Sequence, residues 1–409
     1  MEKHCSDSRF QEFNINWIAS PASALFVEET DKGHPELPVL SASQEFGMIK
    51  RDNIGINMQY SKHNIASYKR VQPGRFVIHL RSFQGGFAHS AIEGITSPAY
   101  TVLSLKEPHN HDEYFWKYLF TSPEFIKRLE LVTYGIRDGR SISVEDFFEL
   151  PFCYPSTPEE QHKIAQFFSR LDTLIAAEDK KLSRLKNMKA ASLEKMFPNP
   201  GETVPQVRFK GFSGEWKKHK LSDFLSVFLE KNENEKYTKH DIFSVSNEYG
   251  VINQIKYQGK SLAGASLKGY KVTHKDMVIY TKSPLRDQPY GIIKTNKECS
   301  GIVSALYAVY SVNEDICPDY VQIYFASDNR LNNYLRPIVN KGAKNTLLVS
   351  DDGALSGTVV FPDNIKEQIT IANYFSRLDT LISAHEQKLD KLRSMKKSFL
   401  EKMFVNIQN

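Results

Sequence analysis

Ile164-Ala165-Gln166-Phe167-Phe168-Ser169-Arg170-Leu171-Asp172-Thr173-Leu174-Ile175 returns near the end of the chain as Ile371-Ala372-Asn373-Tyr374-Phe375-Ser376-Arg377-Leu378-Asp379-Thr380-Leu381-Ile382. The offset is 207 residues (371 − 164). It holds without a gap from Glu160/Glu367 to Asn199/Asn406, where 24 of 40 aligned residues are identical. A period of this length is too long for a solenoid. It describes two large units, each ending in the same helical segment.

Stepping alternately four and three residues from Ile164 meets Phe168, Leu171, Ile175, Glu178, Leu182, Leu185, Lys189, Ser192 and Met196. The same steps from Ile371 meet Phe375, Leu378, Ile382, His385, Leu389, Leu392, Lys396, Phe399 and Met403. These largely apolar stripes have the spacing of a helix-pair or coiled-coil seam. Thr157-Pro158-Glu159-Glu160 is a helix start, with a capping residue, a first-turn proline and acids facing the dipole. Phe197-Pro198-Asn199-Pro200-Gly201 is a stop. About 34 helical residues at 1.5 Å each give a rod of roughly 50 Å. The polar positions Glu178 and His385 are expected to meet at the middle of the pair, where they would fix its register.

Ahead of the helices the repeat persists at lower fidelity, with a drifting offset. Arg9-Phe10, Phe13 and Trp17 match Arg208-Phe209, Phe212 and Trp216 at 199, and Leu40–Ile49 matches Phe243–Ile252 at 203. Phe76-Val77-Ile78 matches Met277-Val278-Ile279 at 201, while Tyr100, Asp112 and Gly135 match Tyr307, Asp319 and Gly342 at 207. Short β-rich runs such as 76–80, 99–103, 277–280 and 306–310 predict strands. A helix is expected over 112–128 and another over 319–334, capped by Asp112 and Asp319. The expected division is 1–157 and 207–364 as globular domains, 158–197 and 365–409 as helices, and 198–206 as linker.

The 409 residues allow two or three domains, and 41% apolar with 25% charged residues is ordinary for a globular protein. A net charge of +5 suits an anionic partner without requiring one. Cys5, Cys153, Cys299 and Cys317 form no CxxC pair, which argues against a zinc ribbon and suits buried thiols in a reducing cytoplasm. No run of about 18 apolar residues predicts a membrane span.

With the duplicated FSRLDTLI helix, the trailing Leu193-Glu194-Lys195-Met196-Phe197 and Leu400-Glu401-Lys402-Met403-Phe404, and the entry Pro205-Gln206-Val207-Arg208-Phe209-Lys210-Gly211-Phe212, the chain resembles the specificity subunit of a type I restriction-modification system. The first unit's entry, Asp7-Ser8-Arg9-Phe10-Gln11-Glu12-Phe13, is a looser version. The resemblance implies an α+β fold: two similar mixed α/β target-recognition domains separated by two long antiparallel helices, with a pseudo-twofold arrangement. It implies double-stranded DNA as ligand, read as a split, asymmetric target. It further implies two modification (methyltransferase) subunits docked on the helices, and through them restriction and motor subunits. S-adenosylmethionine, ATP and magnesium would then belong to the partners. Twofold readers of DNA set their halves about one helical turn, roughly 34 Å, apart, a span that the rods can match.

Candidate DNA-contacting residues follow the matched strands: Arg81, Ser82 and Gln84 in one unit, and Lys282, Ser283, Arg286 and Gln288 in the other. Arg and Lys suit guanine and Gln suits adenine in the major groove. A second pair of basic segments around a shared glycine supplies Arg137 and Arg140, and Lys344 and Asn345. Any of these stretches could equally be a polar turn. Ser43-Gln44-Glu45-Phe46-Gly47 and Ser246-Asn247-Glu248-Tyr249-Gly250 read as fold-shaping, since two domains that read different bases share them. The helix-pair and docking candidates are Phe168, Leu171, Ile175, Glu178, Leu182, Leu185, Phe375, Leu378, Ile382, His385, Leu389 and Leu392.

Neither a G-x-x-x-x-G-K-[ST] loop nor a G-x-G-x-x-G fingerprint after a strand is present, nor an Asn- or Asp-Pro-Pro-aromatic methyltransferase motif. His109-Asn110-His111-Asp112 reads as a polar turn before a helix and not as a metal site. The expectation is a non-catalytic recognition subunit holding no cofactor or metal. The rival readings are a single-chain restriction endonuclease, marked by cutting without partners, and a protein scaffold, excluded by salt-dependent, sequence-selective DNA binding.

Overall fold

A computed structural model describes residues 9–13, 15–43, 46–54, 62–79, 86–134, 141–261, 263–264, 266–284, 288–341 and 347–404. The chain forms two compact units, Met1–Asp179 with Gln387–Asn409, and Lys180–Glu386. The long helices Pro158–Lys195 and Ile365–Met403 each begin in one unit and finish in the other.

In the first unit a four-stranded antiparallel sheet runs in the order Phe26–Glu29, Thr101–Leu105, Phe76–Ile78, Phe87–His89. Residue alternation sends Phe26, Phe76, Ile78 and Leu103 to one face. There they pack with Phe115, Trp116 and Phe120, with Phe168 and Leu171 of one long helix, and with Met403 and Phe404 of the other. Val77, Val102 and Ala88 point to the opposite face, against Leu40, Met48 and Val71. Leu40–Ser43 pairs with Gly47–Lys50 in a hairpin whose turn needs Gly47 in the left-handed region at φ 72°.

The second unit repeats this plan. Its sheet order is Leu225–Val227, Ala308–Val312, Val278–Tyr280, Ile293–Thr295. Phe243–Ser246 pairs with Gly250–Asn253, and Gly250 takes φ 71°. The fold-shaping reading of these turns fits that geometry. Ser43 Oγ accepts from the Phe46 N–H at 3.2 Å, and Ser246 Oγ accepts from the Tyr249 N–H at 3.3 Å.

Four sequence expectations shift. Phe76 faces Leu103 and Val278 faces Tyr310, so the central strands match at an offset of 202 (278 − 76), not 201. The apolar runs FVI and MVI align well by eye, but Met277 precedes its strand. The strands expected at 99–103 and 306–310 lie at Thr101–Leu105 and Ala308–Val312. Each expected single helix is two. Glu113–Phe120 and Pro123–Leu129 are separated by Ser122, whose hydroxyl caps the second; Pro318–Tyr324 and Asp328–Leu335 are separated in the same way by Ser327. Asp112 is the cap expected, accepting from the N–H groups of Tyr114 and Phe115. Asp319 is not a cap, because Pro318 opens that helix and puts Cys317 in the capping position.

The helix starts explain why Glu-Gln opens both copies of the repeat. Glu160 is buried and receives both arms of the Arg9 guanidinium at 2.7 Å. Glu367 receives Arg208 in the same geometry, also at 2.7 Å. Gln161 Oε1 accepts from the Asp112 N–H at 3.0 Å while its Nε2 donates to the Pro155 carbonyl at 2.9 Å. Gln368 repeats the pattern with Cys317 and Pro362, both at 2.9 Å. Buried amides and carboxylates persist only when so satisfied. The latch therefore ties the entry segment, the head and the helix start together in each unit.

Candidate nucleic-acid interface and docking face

The seam read from sequence is the covered stripe of the helices. Phe168, Leu171, Glu178, Leu182, Phe375, Leu378 and Leu389 are buried, and Ile175, Leu185, Ile382, His385 and Leu392 are half-buried. In the first unit Asp172 pairs with Lys396 at 2.5 Å, Glu178 with Lys388 at 3.0 Å, and Asp179 with Arg393 at 3.3 Å. Phe167 packs edge-on against Phe399, with centroids 4.9 Å apart. From Phe167–Phe399 through Asp172–Lys396 to Glu178–Lys388 one number rises as the other falls, so the paired segments run antiparallel. In the second unit Lys186 pairs with Glu386 at 2.6 Å and Lys189 with Asp379 at 2.5 Å, and the Ser192 and Tyr374 hydroxyls lie 2.9 Å apart. Subtracting 207 from Lys396 and adding 207 to Asp172 gives Lys189 and Asp379, so one ion pair is the repeat image of the other. Asp179–Arg393 and Lys186–Glu386 are related in the same way.

Off the seam, four exposed apolar side chains of the long helices fall into two repeat-related pairs. Leu174 is 54% exposed and its repeat partner Leu381 47%; Met188 is 44% exposed and its partner Met395 37%. The repeat preserves all four, although none belongs to a core. Their signal in the sequence was identity between copies at positions off the apolar stripe.

The candidate DNA-reading residues have different fates. Arg81, Ser82, Gln84, Arg137, Arg140, Arg286, Lys344 and Asn345 lie outside the described residues. Lys282 follows the strand Val278–Tyr280 and sits in the left-handed region at φ 48°. Its ammonium meets Asp351 Oδ1 at 2.5 Å. The other carboxylate oxygen of Asp351 takes Lys271 Nζ, also at 2.5 Å. Burial would raise the Asp351 pKa, but the two ammonium groups outweigh it and hold the carboxyl below its ordinary value. Ser283 Oγ donates to the Thr281 carbonyl at 3.3 Å. Gln288 is buried, and its amide donates to Asp328 Oδ1 at 2.9 Å. It serves as a brace for the segment, because the amide that would read adenine is already bonded inside the domain.

The polar turn before the first unit's helices has structural tasks. Asp112 caps and also meets His162 Nδ1 at 2.7 Å, while the His111 ring packs against Trp116 and Tyr154. Of the three described thiols Cys153 is buried, Cys317 is partly covered and Cys299 is exposed, so the expected burial holds for one of these three; Cys5 lies outside the described residues. Among the described residues no cluster of His, Cys, Asp and Glu could hold a metal ion, and no helix is long and apolar enough to cross a membrane.

Residues 28–187 match the family described as the type I restriction modification DNA specificity domain. The crystal structure of a type I restriction-modification S subunit from M. genitalium superposes with a TM-score of 0.59 at 14% identity, covering 99% of this chain and 100% of that one. A chain from a study of complex assembly and conformational transition in the type I R-M system superposes with a TM-score of 0.50 at 13% identity, covering 96% and 98%. No curated protein matches the sequence. Over residues 28–187 the chain is similar to the type I restriction modification DNA specificity domain, and over its length it shares the fold of the S subunit structure. Members of that family are specificity components and in general not catalysts.

Proposed function

We propose that each unit reads one half of a split, asymmetric DNA target, and that the helix pair offers two equivalent seats for methyltransferase subunits. The observation that carries this reading is the repetition of one framework with unlike heads. The latch residues, the sheet order and the seam positions recur, the seam differing at Glu178/His385 and Ser192/Phe399, whereas the residues at the strand exits do not. Two equal frameworks with two different heads suit an asymmetric target. The twice-repeated exposed set, Leu174 with Met395 and Leu381 with Met188, suits two copies of one partner, since apolar groups of this size favour a covered interface.

On this reading, residues 1–157 and 207–364 carry specificity, and the chain itself holds no cofactor. S-adenosylmethionine belongs to the methyltransferase partners, which methylate adenine. ATP and magnesium belong to motor-nuclease subunits that join through them, in the cytoplasm. The test is a map of methylated adenines in a genome carrying this chain with its modification partner. A split, asymmetric motif is expected, and exchanging residues 1–157 for those of a relative should change one half alone. A continuous motif, or both halves changing together, would overturn the reading.

A further inference from the structure

Among the described residues the Lys271–Asp351–Lys282 cluster is found in the second unit and not in the first. The repeat places Lys69 where the second unit has Lys271, at the start of a strand paired in the same register. The Lys69 ammonium goes instead to Glu28 Oε1 at 3.2 Å and to the Tyr100 carbonyl at 2.9 Å. The framework therefore folds without this clamp. In the second unit, Asp351 joins the exit of Val278–Tyr280 to the segment just beyond Leu347–Leu348, stretches separated by 69 residues between Lys282 and Asp351.

The clamp is fastened from beneath. Tyr310 stands where the first unit has Leu103, and its hydroxyl donates to the Asp351 carbonyl at 3.0 Å. The Tyr334 hydroxyl donates to the Ala354 carbonyl at 2.7 Å. Leucine cannot form such a bond. Lys282 is held in a backbone region that L-residues enter at a cost of roughly 1 kcal/mol or more. Two ammonium groups share one carboxylate, which leaves the cluster with one positive charge in excess. An over-determined, strained and net-cationic strand exit is what a DNA-reading head requires, and the fold itself does not.

We infer that Asp351 is a positioning residue for target reading: it sets the Lys282 exit and the 347–354 segment as one rigid reading edge in the second unit. The inference rests on the proposal that this unit reads its own half of the target. Asp351 would not touch DNA, since a carboxylate facing phosphate is repelled.

The experiment uses the chain assembled with its modification partner, with methylation measured on targets altered in one half or the other. The half belonging to the second unit is the one that changes when residues 207–364 are exchanged. In Asp351→Asn, selectivity in that half should fall about tenfold, the discrimination that one base contact carries, with the other half unchanged. Methylation at saturating DNA should be retained. Tyr310→Phe keeps the buried ring and should give a smaller loss in the same half, so it decides the matter if Asp351→Asn fails to fold. Wild-type selectivity in a folded variant, or equal loss in both halves, would overturn the inference alone. A wild-type complex indifferent to either half would overturn the split-target reading and the inference with it.

Discussion

The two units share a skeleton and differ in the chemistry of its filling. The first packs Phe26, Phe76, Phe115, Trp116, Phe120 and Leu103 around its sheet. The second places Tyr280, Tyr310, Tyr320, Tyr324 and Tyr334 in the corresponding core. Phenyl rings fill space and ask for nothing more, whereas a buried tyrosine needs a partner for its hydroxyl. In the second unit three of those hydroxyls, on Tyr280, Tyr310 and Tyr334, fasten the backbone near the strand exits, while the Tyr320 hydroxyl has no partner among the described residues. Tyr280 donates to the Tyr290 carbonyl at 2.6 Å, and Tyr310 and Tyr334 tie down the segment around Asp351. Duplicated domains can thus keep the elements that carry the helices and change the strand exits through the rings behind them.

The sharpest test of this comparison lies in the latch. Arg208→Ala would strand a buried Glu367, at a cost of about 3–5 kcal/mol. Arg9→Ala should cost about 1 kcal/mol less, because Trp17 Nε1 also donates to Glu160, at 3.1 Å. The Trp216 ring nitrogen has no hydrogen-bond partner among the described residues. Denaturant unfolding of both variants should rank them in that order; equal losses would mean that the two latches are interchangeable.

A second test concerns Lys294, which occupies the strand position of Ala88. Burial, together with the nearby Lys189 charge, pushes its pKa down to about 8, against the opposing pull of Asp379 and Asp328. The unfolded chain keeps its proton up to the ordinary value of 10.5 while the folded one loses it near 8, so the stability of the second unit should rise as pH climbs through that window. Lys294→Met should raise its unfolding midpoint by a few degrees, about the effect of 1 kcal/mol, and flatten that pH dependence. Ala88→Met in the first unit lacks this gain. The smallest effect belongs to the helix charges: Lys189→Glu and Lys396→Glu should each cost about 0.5 kcal/mol. Pairing Lys189→Glu with Asp379→Lys should restore most of its loss.

The helices were legible because burial along them follows the four-three stepping from Ile164 and Ile371 at every step. The matched turns at Gly47 and Gly250 were legible because the left-handed backbone demands glycine there. Register between the central strands was readable only to within one residue, since apolar runs of three carry no phase of their own. Asp319 misled because an acid near a helix start fits either the cap or the first turn. The Asp351 clamp was invisible, since nothing local links Lys271 to a residue 80 positions away. Gln288 had the right side chain for adenine, but its fate depended on Asp328, which the fold alone brings near.

The ion pairs carry one further implication. Asp172 and Asp179 lie toward the start of the first long helix, and Lys186 and Lys189 toward its end; read in reverse, the pattern is its own complement. The second helix has the same property in Asp379, Glu386, Arg393 and Lys396. Two copies of a half-length chain could close on each other with Asp172 of each meeting Lys189 of the other, and would then recognise a palindrome. Fusion of two such copies would have freed the two halves of a twofold-symmetric ancestor to diverge.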